Sequence, residues 1–363
     1  MQQDLGSILA YALYFIVLFA IGLYHMKDTG DMQSYMLGGR KIVPWVSAMS
    51  AEASDMSGWM LMGLPGYAYV AGVSAFWIAI GLAIGTWLNW LFVAKRLRVY
   101  TKIANDSITL PDFFENRFRD KTKILRVVSA IFIFIFFLIY TASGFVAGGR
   151  LFNTVFGLPY FESLLITAGI VVFYTFTGGY LAVCRTDFFQ GTLMFFAIIV
   201  VPVTGIMVAG GPAETISSLH ALNPNYFNMF TDATGLTLSF TAIASLIGWG
   251  LGYFGQPHIL VRFMSITSAK EIPQATRIAM VWVIFSLFFA VASGLVGRVV
   301  LNGGGLLGVI RGVRVRIVAR ACGCRRRRRR GRRRGRRGGR GGHGRVGHDQ
   351  LGAVTVRVGR AHG

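Results

Sequence analysis

Charge is what this sequence has least of. Asp, Glu, Lys and Arg make up 14% of its 363 residues, against 54% hydrophobic ones. A water-soluble domain carries about 25% charged residues, so the chain is not built as an ordinary soluble globule. Cysteine is scarce as well: Cys184, Cys322 and Cys324 are too few and too badly placed for a disulfide framework. The histidines are scattered, without the paired spacing of a zinc site. No nucleophile–base pair and no phosphate-cradling glycine loop is visible, which argues against an enzyme. Met1 to Ser7 holds no Lys or Arg ahead of the first apolar run, so no cleavable signal peptide is expected.

What the chain does have is a series of apolar runs long enough to cross about 30 Å of hydrocarbon. They predict spans at Ser7–Tyr24, Pro44–Met62, Ala68–Val93, Ile124–Val146, Tyr160–Val183, Phe188–Val208, Leu238–Tyr253 and Thr276–Val299. Gly and polar residues interrupt the second and the seventh. Basic residues alternate between the loops. Lys27, Arg40 and Lys41 fall in one, Lys95 to Lys123 form a second cluster, Arg185 marks a short fifth loop, and Arg262, Lys270 and Arg277 mark the seventh. The turn around Leu64–Tyr67 is uncharged, and Gly210 to Leu236 has no Lys or Arg. Arg150 alone breaks the pattern. By the positive-inside rule the N-terminus lies outside and the odd-numbered loops inside. Trp87 and Trp90 read as interfacial anchors.

The second span carries the most informative run, Ser50-Ala51-Glu52-Ala53-Ser54-Asp55-Met56-Ser57-Gly58-Trp59. Two carboxylates and three hydroxyls stand where lipid demands hydrocarbon. An acid at that depth costs roughly 2.5–3.5 kcal/mol on insertion scales. Such a penalty is kept where the charge meets an ion, a proton or a substrate. The small residues around it permit an unwound backbone whose carbonyls could face a cation. A polar contact between helices is the plainer alternative.

The formal charge of +22 belongs almost wholly to the end of the chain. Residues 301–363 hold 19 Arg, no Lys and a single acid, Asp349, a net of +18, whereas residues 1–300 carry a net of +4. From Arg311 onward there is no Phe, Tyr, Trp, Met, Lys, Glu, Asn, Ser or Pro. Arg, Gly and Ala share GC-rich codons, so this segment reads as a gene translated out of frame from about Val300–Ile310. The other reading is an Arg/Gly-rich segment that binds RNA or anionic lipid, although it lacks aromatics on which bases could stack. Either way residues 301–363 are expected to form a disordered tail behind a membrane domain at 1–300. Eight spans would leave Arg311 onward outside, against the positive-inside rule.

Leu37-Gly38-Gly39-Arg40, Ser50–Trp59 leading into Leu61-Met62-Gly63-Leu64-Pro65-Gly66, and Thr109-Leu110-Pro111-Asp112-Phe113-Phe114 resemble the sodium:solute symporter family. So do Tyr174-Thr175-Phe176-Thr177-Gly178-Gly179, Thr186-Asp187 and Gly248 to His258. The likeness runs through about residues 1–300 and is tightest to members that carry proline. It implies an all-α membrane protein of LeuT type, two inverted five-helix repeats around a midplane site, here with about eight transmembrane helices. It also implies sodium-coupled uptake of L-proline across the cytoplasmic membrane. The partners are then Na+, L-proline and the lipid bilayer, with no cofactor, no nucleic acid and no obligate protein partner.

By the same resemblance the carbonyls of Ala53 and Met56 bind sodium, with Asp55 supplying negative charge nearby. Ser57 and Gly58 line the join between ion and solute. Tyr140, Trp249, Tyr253 and Pro257 shape the solute pocket, and Arg40 and Asp187 serve coupling. Ordinary bundle packing would also account for Tyr140 and Trp249, and topology-setting charge for Arg40 and Asp187. His258 reads as a helix-end residue. Family members continue for further helices, so the second repeat is expected to lack the half that closes the site. Two alternatives remain open: a transporter-like membrane sensor without transport, and a binding role for the Arg tail.

Overall fold

The computed structural model describes residues 5–28 and 30–302. The expectations for the tail at 301–363, its disorder and its binding role, lie outside the described residues beyond Asn302. The described part is helical, and no strand occurs among the described residues; two isolated bridges, Ile42 to Ile266 and Thr231 to Thr237, are the nearest approach to a sheet. The helices are α1 (Leu5–His25), α2 (Met32–Leu37), α3 (Pro44–Asp55), α4 (Leu64–Ala71), α5 (Phe76–Leu88), α6 (Lys95–Ile103) and α7 (Leu110–Phe118). They continue with α8 (Ile124–Phe156), α9 (Tyr160–Val208), α10 (Pro212–Leu222), α11 (Phe240–Gly248), α12 (Pro257–Ser265) and α13 (Ile272–Asn302). The all-α architecture expected from the apolar runs is present.

Both interrupted spans are broken helices. After α3 the chain leaves helical geometry at Met56 (φ −71°, ψ 62°) and resumes through a π-helical turn, Trp59–Gly63, into α4. After α11 a 3-10 segment, Trp249–Gly255, leads to extended Gln256 and then to α12, which starts on Pro257. Gln256 is extended because a residue before proline is driven out of the α region. The two broken helices are also joined away from their breaks. Ile42 N–H donates to the Ser265 carbonyl (3.2 Å), and Thr267 N–H donates to the Ile42 carbonyl (2.9 Å), so the start of α3 is sewn to the end of α12.

Several span limits differ from those read in the sequence. No turn forms at Leu64–Tyr67. Pro65 falls in the first turn of α4, where a missing N–H is tolerated, and the helix runs on to Gly72, which turns the chain at φ +74°. The third span continues past Val93 through a π turn, Asn89–Ala94, into the basic α6. No loop forms at Arg185 either. The fifth and sixth spans are separated inside α9 by Gly179 alone (φ 58°, ψ −160°). The 49 residues of α9 would extend about 74 Å if straight, more than twice the hydrocarbon thickness, so this break divides two crossings. By length and composition four stretches could cross a membrane: Trp59–Ile103, Ile124–Phe156, Tyr160–Val208 and Ile272–Asn302, beside shorter apolar helices at Leu9–His25 and Phe240–Gly255.

Glycine sets the closest packing. A Cβ on Gly85 would collide with the backbone of Gly250, and one on Gly81 with that of Ile247, so α5 lies directly against the second broken helix. Gly294 on α13 meets the Pro65 carbonyl of α4 in the same way. Small residues allow helices in membranes to approach until backbone meets backbone. Gly85→Ala is therefore expected to lower stability by about 1–3 kcal/mol, seen as a lower melting temperature of the purified chain. Gly66→Ala, where nothing lies within 4 Å of the new methyl, leaves it unchanged.

Candidate functional site

The break at Met56 follows from the polar side chains around it. Ser57 N–H turns back to the Asp55 carbonyl (2.7 Å), and Met60 N–H bonds the Ser57 carbonyl (3.0 Å). Each of these donors would, in a continuous helix, close on a carbonyl four residues earlier, namely Ala53 and Met56. Both carbonyls thereby lose their regular partners. Ser57 Oγ accepts from Trp59 N–H (3.3 Å), which stabilises the restart. Ser and Asp compete in this way with helical hydrogen bonding. Ala53, Met56 and Met60 are buried, and Met56 Sδ accepts from Trp282 Nε1 (3.2 Å).

Other elements converge on this break. Tyr253, in the 3-10 segment, donates its hydroxyl to Asp55. Tyr140, on α8, donates to the Ser54 carbonyl (2.8 Å). Trp249 packs on Trp59 with ring centroids 4.8 Å apart, half exposed at the edge of the contact. Gly58 faces Ala147 of α8, and Ala53 faces Gly191 of α9. Pro257 opens α12 and borders a cavity of about 390 Å³ together with Phe137, Tyr140, Gln256 and His258. His258 stacks on Tyr140 (5.3 Å between centroids), and neither of its ring nitrogens has a hydrogen-bond partner.

Arg40 and Asp187 are not brought together. Arg40 pairs with Asp106 (3.0 Å) and donates to the carbonyls of Met264 (2.8 Å) and Ser107 (2.9 Å), which ties the end of α12 to the loop after α6. Asp187, on α9, accepts from Ser50 (2.6 Å) and Ser54 (3.3 Å) of α3 and pairs with Arg262 (2.9 Å) of α12. Arg262 in turn donates through Nε to Ser50 (3.0 Å) and through NH1 to the His258 carbonyl (2.6 Å). The sequence placed Arg262 among the loop charges. It is 7% exposed and joins three helices. The signal for this was its position between Ile259-Leu260-Val261 and Phe263-Met264, an apolar run rather than a loop. Trp90 also departs from its expected role at the interface. It is 1% exposed and donates to Glu52 (3.3 Å), because the π turn at Asn89–Ala94 rotates it inward, whereas Trp87 stays half exposed.

The model of the sodium:solute symporter family matches residues 35–321. The chain belongs to the sodium:solute symporter family. That match runs past residue 300, beyond the motifs that carry the resemblance. The sodium/proline symporters of Staphylococcus aureus strains JH9 and Mu3 are each 53% identical to the chain over 287 residues, 79% of this chain and 55% of theirs. The chain thus spans about half the length of the curated relatives it matches. A solved Na+-coupled sialic acid symporter, in a substrate-bound outward-open state, superposes with a TM-score of 0.68 at 18% identity. It covers 79% of this chain and 60% of its own, and shows that the fold is the LeuT-like one. The family is one of sodium-coupled solute symporters. Among the described residues no group of three or more His, Cys, Asp or Glu could hold a metal ion, and sodium sites do not need one because neutral oxygens serve them.

The buried pair yields a prediction. Asp187→Asn leaves Arg262 charged and unpartnered, with an expected loss of about 3–5 kcal/mol. Combining Asp187→Asn with Arg262→Gln is expected to cost well under the sum of the single changes. Denaturant unfolding of the purified chain in mixed micelles, run as a double-mutant cycle, measures both.

Proposed function

We propose that residues 5–302 carry the ion and solute contacts of a sodium-coupled L-proline carrier of the cytoplasmic membrane. The observation that carries this is the break at Met56, where two buried backbone carbonyls lose their helical donors beside a carboxylate. Sodium, a hard cation, takes oxygen ligands of this kind. Ala53 and Met56 supply the carbonyls and Asp55 the charge. Ser57 and Gly58 lie between this point and the solute. Tyr253 and Trp249 form the wall on one side, Tyr140 and Pro257 the wall on the other, apolar enough for a pyrrolidine ring. The 53% identity to proteins named as sodium/proline symporters supports this solute.

Coupling would run through the charged contacts that hold the broken helices. Arg262–Asp187 ties α12 to α9 and α3, and Arg40 clamps the end of α12. Moving one sodium charge inward yields about 2.3 kcal/mol per 100 mV, and a tenfold gradient adds about 1.4 kcal/mol. One ion per solute then sustains roughly a 500-fold accumulation of a neutral zwitterion. The loop charges orient the chain with its N-terminus outside and the basic α6 inside.

The test joins residues 1–302 to the C-terminal portion of a Staphylococcus aureus relative and follows labelled proline uptake in a transport-deficient host, with and without sodium. Sodium-dependent uptake is expected. In that chimera Asp55→Asn abolishes the sodium stimulation while membrane insertion persists, and wild-type sodium affinity in the variant would remove Asp55 from the site. Trp249→Ala and Tyr253→Phe separate the solute wall from the ion. The first is expected to raise the half-saturating proline concentration at least tenfold, a loss of about 1.4 kcal/mol, with sodium affinity little changed. The second, which frees Asp55 from its hydroxyl donor, alters sodium affinity more than proline affinity. Equal losses in both affinities for both variants would indicate misfolding instead.

A further inference from the structure

A cavity of about 700 Å³ runs between α7, α8 and α12. Of the residues assigned above to the ion and the solute, only Pro257 borders it. Its walls are apolar, with Leu110 on α7, Ile133, Phe134 and Leu138 on α8, and Val261 on α12. Arg126 is the one charged residue of its lining. Arg126 and Thr141, both lining residues, stand about 22 Å apart along the α8 axis. That is more than half of the roughly 30 Å of hydrocarbon in a bilayer. Phe134 and Leu138 are exposed, and α8 is long and apolar enough to cross a membrane, so the cavity opens toward lipid.

The charged end carries a surplus of positive charge. Arg126 itself is balanced by Asp112 (2.7 Å) and Glu115 (3.1 Å). The loop beside it is not balanced. Arg119, Lys121 and Lys123 are exposed, and no ion pair among the described residues includes them. Asp120, the acid of this loop, accepts instead from the N–H groups of Thr122 (2.9 Å) and Leu125 (2.8 Å). On α7, Phe114 and Phe118 lie one turn apart and are both exposed, as in helices that rest in the headgroup boundary. Membrane topology accounts for basic residues here, but not for an apolar cavity that begins beside them. Basic clusters next to a membrane helix attract anionic headgroups, and basic openings between helices hold them. A long apolar cavity with positive charge at one end has the polarity that complements a single anionic amphiphile.

We propose that this cavity binds one acyl chain of an anionic phospholipid, drawn from the leaflet on the side of the basic loop. Lys121 and Lys123 hold the phosphate, and the chain lies along α8 from Ile133 to Leu138. It reaches Val261 and Pro257, so the lipid bears on the helix that follows the second break. This binding depends neither on the sodium ion nor on the solute assigned above.

The test uses the purified full-length chain in phosphatidylcholine nanodiscs doped with a photoreactive lipid. The probe carries a diazirine at the end of one acyl chain, under either a phosphatidylglycerol or a phosphatidylcholine head, and cross-links are mapped by mass spectrometry. The phosphatidylglycerol probe is expected to label residues 130–141 roughly tenfold more than the phosphatidylcholine probe. Lys121→Gln combined with Lys123→Gln is expected to bring the two probes to about equal labelling. Ala130→Phe, which puts a ring into the cavity and leaves the loop intact, removes labelling by both, with helicity retained. Equal labelling by the two heads in the native chain overturns the proposal, as does labelling that survives Ala130→Phe. The same probes on the chimera described above decide whether another occupant takes the cavity. Labelling kept there supports the lipid site, whereas labelling lost shows that further helices cover it and overturns the proposal. No arm reads transport, so a failure of the sodium and proline assignments leaves this result intact.

Discussion

A backbone carbonyl in hydrocarbon must find a donor, and each one left without costs several kcal/mol. The rest of this structure depends on how that demand is met at two places. Where α3 gives way to α4, and where α11 gives way to α12, helical hydrogen bonding stops inside the bundle. Side chains from other elements take over part of it: Tyr140 reaches the Ser54 carbonyl and Asn89 the Tyr253 carbonyl. The carbonyls of Ala53 and Met56 keep no helical donor, and this is what suits the break to the cation proposed for it.

Such breaks are stable only if the segments carrying them are held rigidly. Glycine does this on one side, letting α5 touch the backbone of the second broken helix at Gly81 and Gly85, and α13 touch α4 at Gly294. Charge does it on the other. The Arg262–Asp187 pair spans α12, α9 and α3, and Arg40 and Arg98 donate to the carbonyls of Met264, Ile266 and Thr267 where α12 ends. Cations at a helix C-terminus satisfy its free carbonyls and oppose its dipole. The two broken helices are thus fastened at their ends and free to differ only at their breaks. Movement of one against the other has to pass through these same contacts.

Much of this was legible in the sequence. Apolar runs of spanning length predict an all-helical membrane bundle because lipid admits few other architectures for a single chain. The two broken spans are announced by Ser, Asp and Gly in one and by Gly-rich sequence before Pro257 in the other, local chemistry that acts within a few residues. The resemblance of Ser50–Trp59 and Gly248–His258 to one family pointed to the residues that Asp55, Tyr140 and Tyr253 turn out to bring together.

Other features are set only by folding. Pro65 and Arg185 look like turn and loop markers in a linear reading, yet both lie within helices, since the true reversals need the positive φ that Gly72 and Gly179 provide. Arg262 and Trp90 read as surface residues by charge and by aromatic habit. Their burial depends on Asp187 and Glu52, far away in sequence, and a long-range partner leaves no trace in local pattern. The sequence by itself determined that the chain is a helical membrane protein with two interrupted spans and costly acids in one of them. Which partners meet those acids, Tyr253 for Asp55 and Trp90 for Glu52, only the tertiary structure decided, because in a medium without water a polar group is defined by what the fold sets opposite it.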